Sequence, residues 1–333
     1  MRNLVNWHSN GTRRTLTGLA IVVALAVALL LRAWTEFIFD ALVIILAWVC
    51  VYEIMNAKQL DKKGVRDYYL YPYMIVAYML FLLGILVDNP FALWLHIILQ
   101  VVLMACLCLY VFFMALTDKK LEKQARLAKE DIGKAARRVT LEYLKLIVYP
   151  ALMLFTLVPL NHLHRFASVT MDGFASPVPV THIGLFAVLL VFVIPFFTDT
   201  TAQMVGRVFG GKKLAPRISP KKTISGFVGG LFGGTVGALL VLLSMSGNSE
   251  ISAFFTQHIG YATASNLFIA GIGLAGALIV QMGDLYASVI KRRAGIKDFG
   301  KWLPGHGGAM DRFDGTVFIA PFISLVFMIV LLV

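Results

Sequence analysis

The stretch Ser265-Asn-Leu-Phe-Ile-Ala-Gly-Ile-Gly-Leu-Ala-Gly-Ala-Leu-Ile-Val-Gln-Met-Gly-Asp-Leu-Tyr-Ala-Ser288 decides the fold class. It is apolar or small almost throughout, carries one carboxylate, Asp284, and exceeds the roughly 20 residues a helix needs to cross a bilayer. Segments of the same kind stand at 15–32, 37–56, 70–87, 91–116, 146–160, 183–203, 225–246 and 316–333. The one at 146–160 is short enough to tilt or re-enter. Composition agrees: of 333 residues, 59% are hydrophobic and 14% charged, with a mean hydropathy of +0.80. An ordinary soluble domain has roughly 25% charged residues, so a water-facing surface cannot be built here. Disorder and collagen are excluded. Cys50, Cys106 and Cys108 all lie in apolar runs, which excludes a disulfide scaffold and zinc-ligand spacing. The chain reads as all-α, a polytopic integral membrane protein of about nine transmembrane helices.

The net charge is +12. Of the 30 Lys and Arg, 28 fall at the N-terminus and in the loops after the second, fourth, sixth and eighth segments. Only Arg32 and Arg165 lie opposite. The positive-inside rule then sets the N-terminus inside and the C-terminus outside, and eight or ten helices would scramble the split. The basicity is a topology signal, and nucleic acid is not a partner. No small-residue cleavage site follows the first segment, which reads as a retained helix.

Residues 1–145 form an N-terminal scaffold. It ends in a linker, 117–145, where Leu121, Ala125, Ala128, Ile132, Ala135 and Val139 recur at steps of four and three. That is a helix with a narrow apolar stripe, lying on the membrane surface or on a neighbouring helix. Residues 146–333 form a second transmembrane domain, the candidate for any catalytic role, with inside loops 207–223 and 291–315. The segment 225–246 carries two glycine ladders, Gly226/Gly230/Gly234 and Gly229/Gly233/Gly237, which let neighbouring backbones approach. No phosphate-cradling P-loop pattern occurs.

Polar residues gather at the inside face. Gln281, Asp284, Ser288 and Lys291 share one helical face. A charge at membrane depth is costly and usually faces a polar cavity, although Asp284 beside Lys291 or Arg292 can also be a simple interfacial pair. The following loop places Lys291, Arg292 and Lys297 before Asp298. His306 is flanked there by Gly305, Gly307 and Gly308, and Asp311 and Asp314 are three apart. Such oxygens suit Mg²⁺, which keeps waters and substrate phosphates in its shell. The loop 207–223 is preceded by Asp199 and carries Ser219, Lys221, Lys222 and Thr223, natural phosphate ligands. Together these residues support metal-assisted phosphoryl or nucleotidyl transfer at the inside membrane face.

The pattern Ser288-x-x-Lys291-Arg292-x4-Lys297-Asp298-x-Gly300-x2-Leu303-Pro304-Gly305-His306-Gly307-Gly308-x2-Asp311-Arg312-x-Asp314 resembles the signature of the phosphatidate cytidylyltransferases, also called CDP-diacylglycerol synthases. Ser219-Pro-Lys-Lys-Thr223 with Gly226, Gly229 and Gly230, and Asp199 with Gly206-Arg207, are similar to that family too. The resemblance covers roughly 195–333. Thr201 and Gln203 stand where the family tends to carry a Gly and an aromatic.

The resemblance implies that CTP and phosphatidate give CDP-diacylglycerol and pyrophosphate, with Mg²⁺ and room for a second cation. It implies metal ligation by Asp284 and Asp311, then Asp314 and Asp298. Catalytic contacts fall to Asp284, Asp311, Lys221 and Lys222. Asp199, Ser219, Thr223, Ser288, Lys291, Arg292, Lys297, His306 and Arg312 complete the substrate pocket. A homodimer is consistent with the family, and the compact chain favours a bacterial inner membrane with the site facing the cytoplasm. Two other readings stay open: a CTP-dependent polyprenol or lipid kinase, which would release CDP, and a membrane transporter of a phosphorylated solute, which an intramembrane Asp would also fit.

Overall fold

The computed structural model describes residues 18–20, 23–24, 26–32, 35–86, 90–169, 178–301, 303 and 307–331, and these are overwhelmingly helical. The principal helices are α1 (Glu36–Ala57), α2 (Leu70–Leu86), α3 (Pro90–Thr117), α4 (Lys119–Leu127), α5 (Ile132–Leu146), α6 (Ile183–Val208), α7 (Ile224–Met245), α8 (Ser249–His258), α9 (Ala262–Arg293) and α10 (Met310–Val330). Among the described residues the sheet is confined to two small antiparallel hairpins. One pairs β1 (Ser168–Val169) with β2 (Val178–Pro179), the other β3 (Lys213–Ala215) with β4 (Ser219–Thr223).

Seven helical stretches among the described residues are long and apolar enough to cross a membrane: Glu36–Ala57, Ile98–Thr117, Ile132–Asn161, Ile183–Val208, Ile224–Met245, Thr263–Arg293 and Met310–Val330. Leu70–Leu83 is a shorter apolar helix. The first predicted segment, 15–32, lies only partly within the described residues. The predicted linker and the segment 146–160 differ from expectation. The linker forms two helices, each started by an aspartate: Asp118 accepts from Lys120 and Leu121 N–H, and Asp131 from Lys134 N–H. Between them Lys129 takes a left-handed φ of 54°. Of the predicted stripe, Leu121, Ala125, Ala135 and Val139 are buried, whereas Ala128 is exposed. No loop then separates α5 from the next apolar segment. A π-helical turn, Ile147–Leu152, carries the chain on, bent where Tyr149 leaves helical geometry (φ −125°, ψ 114°) before Pro150.

The chain folds as two compact units. The first is built on Ala41–Val158 and Asp298–Asp311. Within it α5 packs on α3, and α2 on α3. The Tyr143 hydroxyl donates to Arg66 O at 2.7 Å, and Gln100 Nε2 donates to Ala77 O at 2.5 Å.

The second unit comprises Ala26–Asp40, Pro159–Lys297 and Arg312–Val333. Its centre is the seam of α6, α7 and α9, and the glycine ladders explain it. A methyl added at Gly229 would come within 2.6 Å of Val205, at Gly237 within 3.0 Å of Phe197, and at Gly234 within 2.6 Å of both Ala277 and Thr198. The Thr201 side chain fills the place of the missing Gly233 side chain, while its hydroxyl donates to Phe197 O at 2.7 Å. Backbones can approach this closely only where side chains are absent.

A polar network with a buried centre also lies in this unit. Arg32 donates to Asn161 Oδ1 at 2.5 Å and to Asn161 O at 2.8 Å. Asn161 Nδ2 donates to Asp40 Oδ1 at 2.9 Å, and His162 Nε2 meets Asp40 Oδ2 at 2.8 Å. His162 Nδ1 lies 2.8 Å from Glu36 Oε2. Asp40, Asn161 and His162 are fully buried.

Candidate active site

In the second unit the site is assembled from the β3–β4 hairpin and four helices, α6, α7, α9 and α10. Thr223 closes β4 and caps α7, its Oγ1 accepting from Gly226 N–H at 3.1 Å. That caps the chain's most glycine-rich helix and fixes Lys222 immediately before it. Arg292, in the last turn of α9, donates from Nε to Ile218 O at 3.2 Å, which fastens the hairpin to that helix. Lys222 Nζ then reaches Asp284 Oδ2 at 2.6 Å. Both side chains keep about a quarter of their surface open. Ser288, one turn further along α9, points its Oγ at Asp284 Oδ1 at 3.5 Å, while Gln281, one turn back, donates to Phe227 O of α7 at 3.2 Å.

Two more carboxylates share this electrostatic neighbourhood. Asp199 of α6 feels the charges of Asp284, Lys222 and Arg312. Asp314 of α10 is buried, accepts from Gly315 N–H at 2.8 Å, and feels Asp284, Asp199 and Lys291. Three carboxylates from three helices thus repel one another beside Lys222, Lys291 and Arg312. Like charges at short range are unfavourable unless a cation balances them. Their hard oxygens are the donor type Mg²⁺ takes, and that ion needs only one or two protein carboxylates because waters and phosphates fill the rest. Among the described residues no three His, Cys, Asp or Glu side chains converge as a ready-made cage. The residues therefore fit a metal that arrives with phosphates better than a structural one.

The signature loop returns in the first unit. Asp311 Oδ2 accepts from Phe299 N–H at 2.7 Å and Gly308 N–H at 3.0 Å. Leu303 N–H donates to Gly307 O at 3.0 Å, and Gly307 turns the chain with φ +84°. Asp311, predicted as a ligand, holds the loop with one oxygen. Asp298 is exposed.

Of the other predicted residues, Ser219 is half-buried on β4, and Lys221, Arg292, Lys297 and Arg312 are exposed. Ser288 is buried. The Thr223 hydroxyl is engaged as a helix cap. His306 lies outside the described residues.

The sequence model of the cytidylyltransferase family matches residues 12–330, nearly the whole chain. The chain belongs to the cytidylyltransferase family. Among curated members, the phosphatidate cytidylyltransferase of Staphylococcus aureus (strain COL) is 39% identical over 142 residues, which is 43% of this chain and 49% of that protein. The Rickettsia felis enzyme of the same name is 43% identical over 141 residues, 41% of this chain and 58% of that protein. That of Rickettsia bellii is 38% identical over 139 residues, covering 42% and 56%. The chain spans about half the length of the curated relatives it matches.

One residue of this cytidylyltransferase-family chain escaped the sequence reading. Glu53, in α1, accepts from Ala309 N–H at 3.0 Å and Met310 N–H at 2.8 Å. The signal was present, since a carboxylate inside an apolar segment seldom lacks a purpose.

Proposed function

We propose that this chain transfers the cytidylyl group of CTP to phosphatidate, giving CDP-diacylglycerol and pyrophosphate. The observation that carries the reading is the half-open Lys222–Asp284 pair, with Asp199, Asp314, Lys291 and Arg312 around it. Its relatives' names point the same way. A phosphatidate phosphate oxygen attacks the α-phosphorus of CTP, the bond from that phosphorus to the bridging oxygen breaks, and pyrophosphate leaves. No general base is required, because a phosphate monoester is already anionic at neutral pH. The difficulty is repulsion: two unit charges 4 Å apart cost about 4 kcal/mol at an effective dielectric of 20, and two phosphorylated substrates bring several such terms. Lys222, Lys291 and Arg312 offset them, and Lys221, Arg292 and Lys297 extend the positive field. Mg²⁺ held by Asp284 and Asp314 would supply charge neutralisation and Lewis acidity; Asp311 and Asp298 are the carboxylates of the signature loop. Ser219, Ser288 and His306 are assigned to substrate contacts.

The charge distribution supports nine spans with the N-terminus inside, and so a cytoplasmic site. Relatives from bacteria support placement in a plasma membrane.

The test uses purified protein in detergent with phosphatidate, Mg²⁺ and CTP labelled at the α-phosphate. Label in the lipid with pyrophosphate release is the expected result. Lipid labelled only from γ-labelled CTP, with CDP released, would replace the reading by a kinase.

A further inference from the structure

Glu53 belongs to a helix assigned to the scaffold, yet its buried carboxylate is committed to main chain far along the sequence. Ala309 N–H donates to Oε1 and Met310 N–H to Oε2, 256 and 257 residues away. The loop is cut to fit it, because a side chain at either Gly300 or Gly308 would collide with the Glu53 carboxylate. Asp311 takes Phe299 and Gly308 N–H from the loop itself. Two carboxylates thus fix the main chain at 299, 308, 309 and 310.

Helix capping alone does not account for this. A local Ser, Thr, Asn or Asp caps a helix at small cost, whereas a carboxylate within an apolar helix is expensive. What the distant carboxylate adds is a link between α1 and the run that bears Asp298, Lys301 and Asp311. We propose that Glu53 is a positioning residue for nucleotidyl transfer: it holds the signature loop, described at 298–301, 303 and 307–311, in the conformation that presents its charged side chains to substrate. This rests on the cytidylyl-transfer reading.

Glu53→Gln keeps one acceptor but turns an amide donor toward a main-chain donor, and Glu53→Ala removes both acceptors. The two variants are compared with the wild-type protein by kinetics and by hydrogen exchange in detergent. For Glu53→Ala, kcat is expected to fall about 100-fold, the scale of a loop misplaced by about 1 Å. KM for CTP rises severalfold, a change that loss of folded protein alone would not produce. Glu53→Gln falls between it and wild type. Exchange in peptides covering 298–311 rises about tenfold while peptides of α7 stay unchanged, since local opening is independent of the whole fold. Gly308→Ala is harmful alone and adds little to Glu53→Ala, because the collision is gone.

Unchanged exchange at 298–311, losses that multiply in the double variant, or wild-type kinetics in Glu53→Ala would each overturn the proposal. Wild-type protein that labels no lipid from CTP, while Glu53→Ala still frees the loop, would instead overturn the cytidylyl-transfer reading and leave the anchorage standing.

Discussion

Two groups of charges lie in the second unit, and they are built in opposite ways. Around His162 each carboxylate oxygen of Asp40 has a partner, Asn161 Nδ2 on one and His162 Nε2 on the other, with Arg32 and Glu36 completing the set. Asp40, Asn161 and His162 are buried at its centre, and only Arg32 and Glu36 at its edge keep partial exposure. Around Asp284, three carboxylates are brought together with cations, and the Lys222–Asp284 pair stays partly open. The first arrangement is finished without a ligand. The second is electrostatically tense until something charged arrives, which is how functional sites are recognised among structural ion pairs.

The contrast can be broken by substitution. The largest effect is expected at Lys222→Met, which removes the cation against Asp284 and lowers kcat about 10²-fold, the scale of losing one charge-stabilising donor. Its melting temperature stays near wild type; a fall of many degrees with full specific activity would make the pair structural. His162→Ala is the converse. It leaves buried Asp40 without one of its hydrogen-bond partners, which costs about 1–3 kcal/mol. Denaturant or thermal unfolding should register that loss, with little change in kcat per folded molecule.

Packing gives the next effect. Gly233→Ala forces a methyl into the Thr201 side chain and should cost about 1–3 kcal/mol as overpacking. Thr201→Ala in the same chain should recover most of it, and failure to recover would show that the α6–α7 seam is not the cause.

The smallest effect is at α8. Partial burial pushes the Glu250 carboxyl up, but the hydrogen bonds from Thr181 Oγ1 and N–H and the neighbouring His182 outweigh it, so the group sits below its ordinary value of 4.5. A lowered folded value means the contribution is complete above the unfolded value and is lost as pH falls through the folded one. Protection of the α8 amides, measured against their intrinsic exchange rate at each pH, should therefore fall in acid, and Glu250→Gln should flatten that response.

Much of the fold was legible because the bilayer sets a length, so apolar runs announce their helices. What escaped was set by local exceptions. Pro150 sits inside an apolar run and bends a helix, where the sequence suggested a separate span. α8, only ten residues, is too short for the membrane signal. α10 starts at Met310 instead of 316 because Glu53 satisfies its first N–H groups, a contact no local pattern can reveal. The signature residues were legible as a set. Their division was not: Thr223 and Asp311 act through main-chain bonds, whereas Asp284 meets Lys222. Thr201, unusual against the family's pattern, is explained by the glycine opposite it; Gln203 is exposed and nothing in the structure accounts for it.

The most direct test sets two isosteric changes side by side, Asp284→Asn and Asp40→Asn, each assayed for label transfer from CTP to phosphatidate and for melting temperature. The structure predicts that Asp284→Asn loses about 10²-fold or more in kcat at an unchanged melting temperature. Asp40→Asn should keep its kcat and melt several degrees lower. Full activity in Asp284→Asn, or a catalytic loss in Asp40→Asn with undisturbed stability, would contradict the assignment of the open cluster as the reaction site.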